Sequence, residues 1–368
     1  MARNRRGCGC LLILLVLAAG VLLFAYFKFF REEGPKLPPP SGEELRVHVL
    51  DVGQGDSILV VAPGGKVALV DAGNPGTGKK IAEALKRHGV DHIDLFITTH
   101  AHADHIGAAD EIINSTPVRA VLDSKVPNTT KNYEDFLSAV ESKIENPREN
   151  FITAAPGQTF AIGESGAVLT VLAPIPPLFT KEQLRSGGNE PNANSVVVRL
   201  DYGDFSLLLT GDAEAQTEQR LISNGARLDA DVLKVGHHGS KYATSEEFLR
   251  RGQFDAAVIS NGADNRYGHP NQDVLDRLKA AGVRVYRTDL QGEITITTRG
   301  KGEDDYIITP AREAEAAALL TGREAQRDDS SRSGFIQYGD FGPAPKKKES
   351  TNRNANRNAN RKEGAGGR

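Results

Sequence analysis

The stretch His100-Ala-His102-Ala-Asp104-His105 places four potential metal ligands within six positions. It follows the apolar run 93–99, IDLFITT, which predicts a buried strand. Because side chains alternate along an extended chain, His100 and His102 point to the same side. Asp104 and His105 come at the turn into a helix and can face a second point nearby. Imidazole and carboxylate bind zinc, manganese or iron, so the pattern predicts a site for two metal ions.

Strand and helix patterns alternate on both sides of this stretch. The expected strands are 45–50, 57–61, 66–71, 93–99, 118–123, 195–200, 205–210, 231–236, 256–260, 283–288 and 293–298. The expected helices are 77–88, 104–114, 131–145, 213–223, 244–251 and 271–281. Two halves of strands and helices indicate sheets packed face to face with helices outside, which is a layered α/β fold.

Charge and cysteine content limit the classes of function. The formal net charge is −3, so no overall field favours nucleic acid or another charged partner. The two cysteines, Cys8 and Cys10, both precede the apolar N-terminal segment. Thiolates are therefore excluded as metal ligands of the main domain, and disulfides do not stabilise it.

The uncharged stretch 11–27, LLILLVLAAGVLLFAYF, predicts a transmembrane helix. More Lys and Arg lie before it than directly after it, which favours a cytoplasmic N terminus. The expected location is therefore the plasma membrane, with a single span and the catalytic domain outside the cytoplasm. A cleaved signal peptide is the alternative, although no small-residue cleavage site follows the apolar run.

Composition divides the chain into four segments. These are an N-terminal membrane anchor (1–30), a Pro/Gly-rich linker (31–43), the folded domain (44–310), and an Ala/Glu-rich segment with a basic tail expected to be disordered (311–368). Residues 343–368 contain eight basic and two acidic side chains. This tail is either simply solvated or attaches the protein to a polyanion such as nucleic acid.

Further motifs follow in order along residues 44–300. They are the run Leu-Val-Asp-Ala-Gly around Asp71, the Thr-Gly-Asp run ending at Asp212, and the Gly-His pair ending at His237. Together with the quoted stretch, they resemble the ligand motifs of the metallo-β-lactamase fold. The resemblance implies a four-layer αββα metallo-β-lactamase sandwich, here preceded by one transmembrane helix, and metal-dependent hydrolysis.

Two more runs narrow the resemblance. Asp51-Val-Gly-Gln-Gly-Asp-Ser57 and Lys234-Val-Gly-His-His-Gly-Ser240 are similar to those of the ComEC-type competence protein hydrolase domain. The resemblance implies a phosphodiesterase or nuclease that acts on DNA or a related phosphoester, and that domain is linked with degradation of the non-imported strand during DNA uptake. It normally accompanies a multi-span channel, whereas this chain has one apolar span, so the resemblance is to that one domain and leaves a role in DNA uptake open.

The resemblance also implies two divalent metal ions, zinc or manganese, and hydrolysis by a metal-bridged hydroxide. The expected metal ligands are His100, His102, Asp104, His105, Asp212 and His237. Asp212 is expected at both metals, and Asp104 is also expected to orient the nucleophile. His238 is expected to transfer a proton as a catalytic residue. His237 and His238 are adjacent, so either could be the ligand, and His237 is preferred.

Other residues are expected around the metals. The expected substrate contacts are Asn194, Ser240, Lys234 and His269. The residues expected to support the ligands are Asp71, Asp51, Gln54 and Asp56. Ordinary turn, surface or loop roles are equally open for Ser240, Lys234 and His269. Asn194 stands where the wider superfamily usually has a third-motif histidine, which weakens the first metal site and favours a harder metal such as manganese.

Two other functions stay open because a fold does not determine a substrate. The first is a metallo-hydrolase of another ester or amide, such as a phosphorylcholine ester, a lactone or a β-lactam. The second is a non-catalytic tethered module that binds a polyanion. The expected partners are a phosphoester substrate, with DNA as the candidate, and the membrane through the N-terminal helix. The sequence does not indicate an oligomeric state.

Overall fold

Two sheets carry the fold, which the computed structural model describes over residues 43–323 except 165, 185–189, 264 and 303–304. The strands are β1 (Leu45–Val49), β2 (Ile58–Val61), β3 (Val67–Val70), β4 (Ile93–Thr98), β5 (Val118–Asp123), β6 (Phe151–Thr153), β7 (Thr159–Ala161), β8 (Val168–Ala173), β9 (Val197–Tyr202), β10 (Phe205–Leu209), β11 (Val232–Lys234), β12 (Ala256–Ile259), β13 (Arg284–Arg287), β14 (Ile294–Thr298) and β15 (Tyr306–Pro310). The first sheet has the order β15-β14-β1-β2-β3-β4-β5-β6, and the second has the order β13-β12-β11-β10-β9-β8-β7.

The helices lie between strands. They are α1 (Gly78–Arg87), α2 (Ala103–Ile106), α3 (Ala109–Ser115), α4 (Lys131–Lys143), α5 (Pro147–Asn150), α6 (Glu190–Ala193), α7 (Ala215–Ser223), α8 (Glu246–Gly252), α9 (Gln272–Ala280), α10 (Thr288–Gln291) and α11 (Ala316–Leu319), with a 3-10 turn at Gly236–Gly239. Of these, α9 begins after Asn271, whose side chain accepts a hydrogen bond from the Asp273 amide, as an N-cap residue does.

One apolar cluster fills the space between the sheets. It joins Val47 and Val70 of the first sheet to Val198 and Leu207 of the second. Because successive side chains on a strand point to opposite faces, the neighbours of these residues line the outer faces. The two sheets therefore pack face to face.

Helices cover both outer faces. Phe96 of β4 packs in a cluster with Ile81 of α1 and Phe136 of α4. On the other side, Leu208 of β10 packs in a cluster with Phe248 of α8, and α7 and α9 contribute to the same cluster. This mixed α/β arrangement with two sheets confirms the layered part of the expected fold class, but not the transmembrane helix expected before it.

Parallel pairing collects strand ends at one edge of each sheet. β3, β4 and β5 run parallel, and so do β10, β11, β12 and β13. The chain that leaves these ends carries Asp71, His100, Asp212, His237 and His238. Crevices outside the carboxyl ends of strands are the usual ligand sites of α/β sheets.

Some elements were not expected. The pattern did not predict β6, β7, β8 or β15, and the helix expected at 104–114 is two helices, α2 and α3. They are separated at Gly107, where a Cβ atom would collide with Pro75. β15 alternates partly buried and exposed residues, as an edge strand does, and its Ile307 is 68% exposed.

The expected membrane location is corrected by the structure. Across the part of the chain that the structure describes, none of the helices combines the length and the apolar character needed to cross a membrane. The predicted span at 11–27, like most of the linker and the basic tail, lies outside the described residues.

Candidate metal centre

Asp71 organises the donors at the edge of the first sheet. Its backbone is left-handed, with a φ of 61°, a conformation that Asp tolerates better than most residues. Its carboxylate accepts three hydrogen bonds of 2.7 Å: Oδ1 accepts from the Thr99 amide, and Oδ2 accepts from the Thr99 hydroxyl and from Nδ1 of His105. Nδ1 of His105 therefore carries the hydrogen of the neutral imidazole, which leaves the lone pair of that form on Nε2.

Thr99 orients His100 in the same way, through a hydrogen bond. Its hydroxyl hydrogen is used on Asp71, so its oxygen accepts from Nδ1 of His100 at 3.1 Å. Nε2 of His100 then lies 2.9 Å from Nδ1 of His102 and 3.7 Å from Oδ2 of Asp212. Such supporting hydrogen bonds set the tautomer of metal-binding histidines.

Asp212 comes from the edge of the second sheet and meets both groups of histidines. The turn before it depends on Gly211, because its φ is 51° and a Cβ atom there would press on the Thr99 side chain. Oδ1 of Asp212 lies 3.1 Å from Nε2 of His105 and 3.6 Å from Nε2 of His238. Its amide donates to the Ser195 hydroxyl at 3.3 Å.

His237 and His238 occupy the 3-10 turn after β11 in an unusual conformation. Both have left-handed backbones, with φ of 48° and 52°. Strained backbone of this kind is found at functional sites. The two side chains diverge, and their ring planes are 73° apart.

His238 points inward. It is buried, and its Nδ1 lies 2.9 Å from the Ser260 carbonyl oxygen, which can only accept. Nδ1 is therefore the donor, and Nε2 has its lone pair 3.2 Å from Nε2 of His105 and 3.3 Å from Oδ2 of Asp104.

His237 lies at the rim, where its side chain is 22% exposed. Nδ1 is 3.1 Å from Oε1 of Glu214, and Nε2 is 3.6 Å from Oδ2 of Asp212. Burial alone would lower the pKa of His237, but the carboxylates of Asp212 and Glu214 outweigh burial and raise it. The side chain is thus held by a carboxylate while still reaching solvent.

The donor atoms form two groups that share Asp212. The first group consists of His100, His102 and Asp212. The second consists of Asp56, His105, Asp212 and His238. Within each group, the potential ligand atoms lie within 4.8 Å of one another. The facing lone pairs of His105 and His238, and an Asp212 Oδ1 that is buried without a hydrogen bond, fit a bound cation.

The electrostatics also suit cations. Burial would lower the pKa of His238, but Asp212, Asp104 and Asp56 raise it to about 10. Burial would likewise lower the pKa of His105, but the negative charges of Asp212 and Asp71 outweigh burial and raise it well above its usual range. A bound metal ion would therefore displace protons from these imidazoles.

A family model described as the metallo-β-lactamase superfamily matches residues 50–180. A UPF0173 metal-dependent hydrolase of Polynucleobacter asymbioticus is 31% identical over 209 residues, which cover 55% of this chain and 69% of that protein. The chain belongs to the metallo-β-lactamase superfamily. Its described residues include buried His and Asp clusters able to bind metal ions, and the resemblance seen in its motifs is confirmed.

Two relatives with competence-related names are also similar. ComE operon protein 3 of Bacillus subtilis is 34% identical over 277 residues, covering 70% of this chain and 33% of that protein. Competence protein ComA of Neisseria gonorrhoeae is 29% identical over 300 residues, covering 78% of this chain and 37% of that protein. The chain spans about a third of the length of each.

Asp56 and Lys234 are both deep in this superfamily domain. Oδ2 of Asp56 lies 2.8 Å from Nζ of Lys234, and both side chains are 1% exposed. The ammonium also donates to the Val235 carbonyl. Lys234 therefore does not reach a substrate, contrary to its expected role. It neutralises Asp56, whose Oδ1 lies 3.4 Å from Nδ1 of His238.

The loop before β2 packs on the ligand motif. A Cβ atom on Gly55 would collide with the Asp104 carbonyl, and that carbonyl accepts from the Asp56 amide at 3.1 Å. Gln54 accepts from the Gly262 amide at 3.3 Å, so it joins the two halves of the rim. Asp51 is further out and accepts from the Gly53 amide within its own turn.

The Asn194 side chain is not positioned as the substrate contact that was expected. Its Oδ1 accepts from the Phe179 amide at 2.9 Å, and its Nδ2 donates to the carbonyls of Phe179 and Glu190. The side chain is 1% exposed, so its amide is used to hold the loop near Phe179.

The other two expected substrate contacts differ in position. Ser240 is buried, and its amide donates to the His237 carbonyl, which is the arrangement of a turn residue. His269 lies beside the site, with its ring centroid 5.4 Å from that of His237. Burial, and then the positive charges of His237 and His238, lower the pKa of His269 to about 3.

Several residues that shape the centre were not singled out from the sequence. Thr99, Glu214 and Ser260 hold His100, His237 and His238 through hydrogen bonds. Glu214 lies two positions after Asp212, and Thr99 directly precedes the ligand motif, so position near a motif was the one available signal. Ser260 contributes its backbone carbonyl, which any residue carries.

A further group of donors, His48, His88 and Glu293, lies apart from the centre. The His48 and His88 rings are stacked with centroids 3.7 Å apart, so the nitrogen lone pairs of the two rings lie in nearly parallel planes. Oε1 of Glu293 lies 2.8 Å from Nε2 of His88, and Oε2 lies 2.5 Å from the Arg87 guanidinium. These contacts describe a hydrogen-bonded polar cluster.

Proposed function

We propose that this superfamily member is a phosphodiesterase whose substrate class is nucleic acid. The observation that carries the proposal is the pair of donor groups that share Asp212 at the edge of both sheets. Asp104 and His237 remain 25% and 22% exposed, so a substrate can reach the centre. The similarity to competence-named relatives and the basic residues of the 343–368 tail support a nucleic-acid substrate.

Two divalent cations, zinc or manganese, fit the donors. The first would be held by His100, His102 and Asp212. The second would be held by the carboxylates of Asp104 and Asp212 with Nε2 of His105 and of His238. His238 takes this place instead of His237 because its Nε2 faces the other donors. When bound, the cations supply an acidified water and offset negative charge that develops on the phosphoryl oxygens.

Other side chains of the protein would orient the ligands and transfer a proton. Asp71 orients His105 directly and His100 through Thr99. Glu214 accepts from Nδ1 of His237 and so leaves Nε2 as the atom that exchanges a proton with the leaving group. A histidine in this role typically contributes about 10²- to 10⁴-fold in rate.

The test uses the full-length chain loaded with manganese or zinc. Bis-p-nitrophenyl phosphate, plasmid DNA and a single-stranded oligonucleotide are assayed beside nitrocefin, with a His102→Ala, Asp104→Ala double variant as control. We expect cleavage of phosphodiesters that disappears in the double variant. Metal bound without phosphodiester cleavage would refute the proposal, and cleavage of nitrocefin alone would favour the amide-hydrolase alternative.

The adjacent histidines provide an internal test of the assignments. We expect His238→Ala to lower metal content, because it removes a ligand. His237→Ala should retain the metal and lower turnover by about 10²- to 10⁴-fold. Metal content by mass spectrometry and turnover are measured on both, and the reverse pattern would restore His237 as the ligand.

A further inference from the structure

Tyr267 stands out on the rim of the metal centre. Among the residues that the structure describes, the exposed large hydrophobic side chains are Leu178, Tyr267 and Ile307, and Tyr267 is 52% exposed. A single exposed aromatic residue is ordinary on a protein surface. The position and the rigidity of Tyr267 distinguish it from that ordinary case.

A line of rings connects Tyr267 to the centre. Nε2 of His237 lies 3.6 Å from Asp212, and the His237 ring meets the His269 ring edge-on at 5.4 Å. His269 and Tyr267 are stacked with an interplanar angle of 26° and centroids 5.9 Å apart. That separation is an offset stack, so much of the Tyr267 ring stays uncovered.

Asn265 holds the backbone around Tyr267 with side-chain hydrogen bonds. Its Nδ2 donates to the carbonyls of Gly262 and His269 at 2.8 and 2.7 Å, and its Oδ1 accepts from the amides of Tyr267 and His269 at 3.2 and 3.0 Å. Asn261 donates to the His269 carbonyl at 3.0 Å. The backbone that carries Tyr267 is therefore held in place before binding, which lowers the ordering cost of the loop.

We propose that Tyr267 is a stacking subsite for the base of a nucleotide next to the scissile phosphate. A base is planar and stacks on an aromatic ring regardless of its identity. The Arg266 guanidinium lies 5.6 Å from the same ring and supplies a cation for a neighbouring phosphate. This inference rests on the proposed nucleic-acid substrate, and it adds a contact that the metal ligands do not provide.

Cleavage of intact oligonucleotides is compared with cleavage of oligonucleotides that carry one abasic site beside the scissile bond. We expect the wild type to lose about tenfold in kcat/KM at one abasic position. Tyr267→Ala should lower kcat/KM on the intact strand by about tenfold and abolish the discrimination, while Tyr267→Phe retains both. Ile307→Ala removes another exposed large side chain, on β15, and is the control that should change neither.

A binding measurement separates this inference from the proposed function. The probe is a single-stranded oligonucleotide containing 2-aminopurine, whose fluorescence is quenched by stacking, added to the metal-loaded protein. Quenching that is lost in Tyr267→Ala and kept in Tyr267→Phe supports the subsite even if no strand is cleaved. Cleavage with equal effects of Tyr267→Ala on intact and abasic strands, or quenching that does not depend on Tyr267, would overturn it.

Discussion

Asp71→Asn tests how the centre is organised. Asn adopts the left-handed backbone that Asp71 requires, with its φ of 61°, so the loop should survive the change. The amide keeps one acceptor oxygen but turns the other into a donor. The native carboxylate accepts from Thr99 twice and from His105 once, so the new amide group must either face a donor or force the hydroxyl and the imidazole to accept, which loses the orienting hydrogen bond to His105.

The magnitude follows from these contacts. An unsatisfied buried donor costs about 1–3 kcal/mol of stability. Loss of a hydrogen bond that orients a ligand typically weakens metal binding by about 10- to 100-fold. That range corresponds to about 1.4–2.7 kcal/mol of binding free energy.

The assay is a competition titration of zinc against a chromophoric chelator, with urea denaturation of the metal-free protein alongside. Asp123→Asn is the matched control. Asp123 is also a buried carboxylate at a strand end, and it accepts from Thr98 and the Lys125 amide without touching an imidazole. Zinc affinity in Asp71→Asn within about threefold of the wild type would refute the orienting role, whatever the change in stability.

Three other outcomes follow from buried groups. Lys234→Met should lower the free energy of unfolding by about 3–5 kcal/mol, because it leaves Asp56 buried without its ammonium; a loss below about 1 kcal/mol in urea denaturation would contradict this. Burial raises the pKa of Asp123 to about 6, so its contribution to stability is present below its unfolded pKa and is lost as pH rises through about 6. Asp123→Asn should therefore stabilise the metal-free protein at pH 8 by about 2–3 kcal/mol and much less at pH 4, and equal effects at both would disprove it. Gly55→Ala should lower both metal affinity and stability, because its Cβ atom collides with the Asp104 carbonyl; unchanged chelator titration and melting curves would exclude that contact.

Most of the fold could be read from periodicity. The strand expected at 93–99 and the helix expected at 77–88 correspond to β4 and α1 within a residue or two, because their apolar faces are continuous and long. β15 escaped detection because its run is short, ends in proline and does not alternate apolar with polar residues. Gly107, between α2 and α3, lies where a Cβ atom would collide with Pro75, and a pattern within one segment does not contain such a contact.

The types of donor at the centre could be predicted from the sequence alone. The residue types and local spacing of the quoted His-Asp motif, with Asp212 and the two histidines after β11, define which donors exist. Spacing along a strand or turn sets their approximate direction, so a metal site could be predicted. The hydrolase domain of the metallo-β-lactamase type was implied by the resemblance of the motifs.

Only the tertiary structure decided what each donor faces. His237 and His238 are adjacent, and their backbone angles send one to the rim and the other inward. Lys234 looked like a surface cation until its partner Asp56, far away in sequence, was placed beside it. Hydrogen bonds and ion pairs act over a few ångströms, and which groups come within that distance depends on the packing of both sheets.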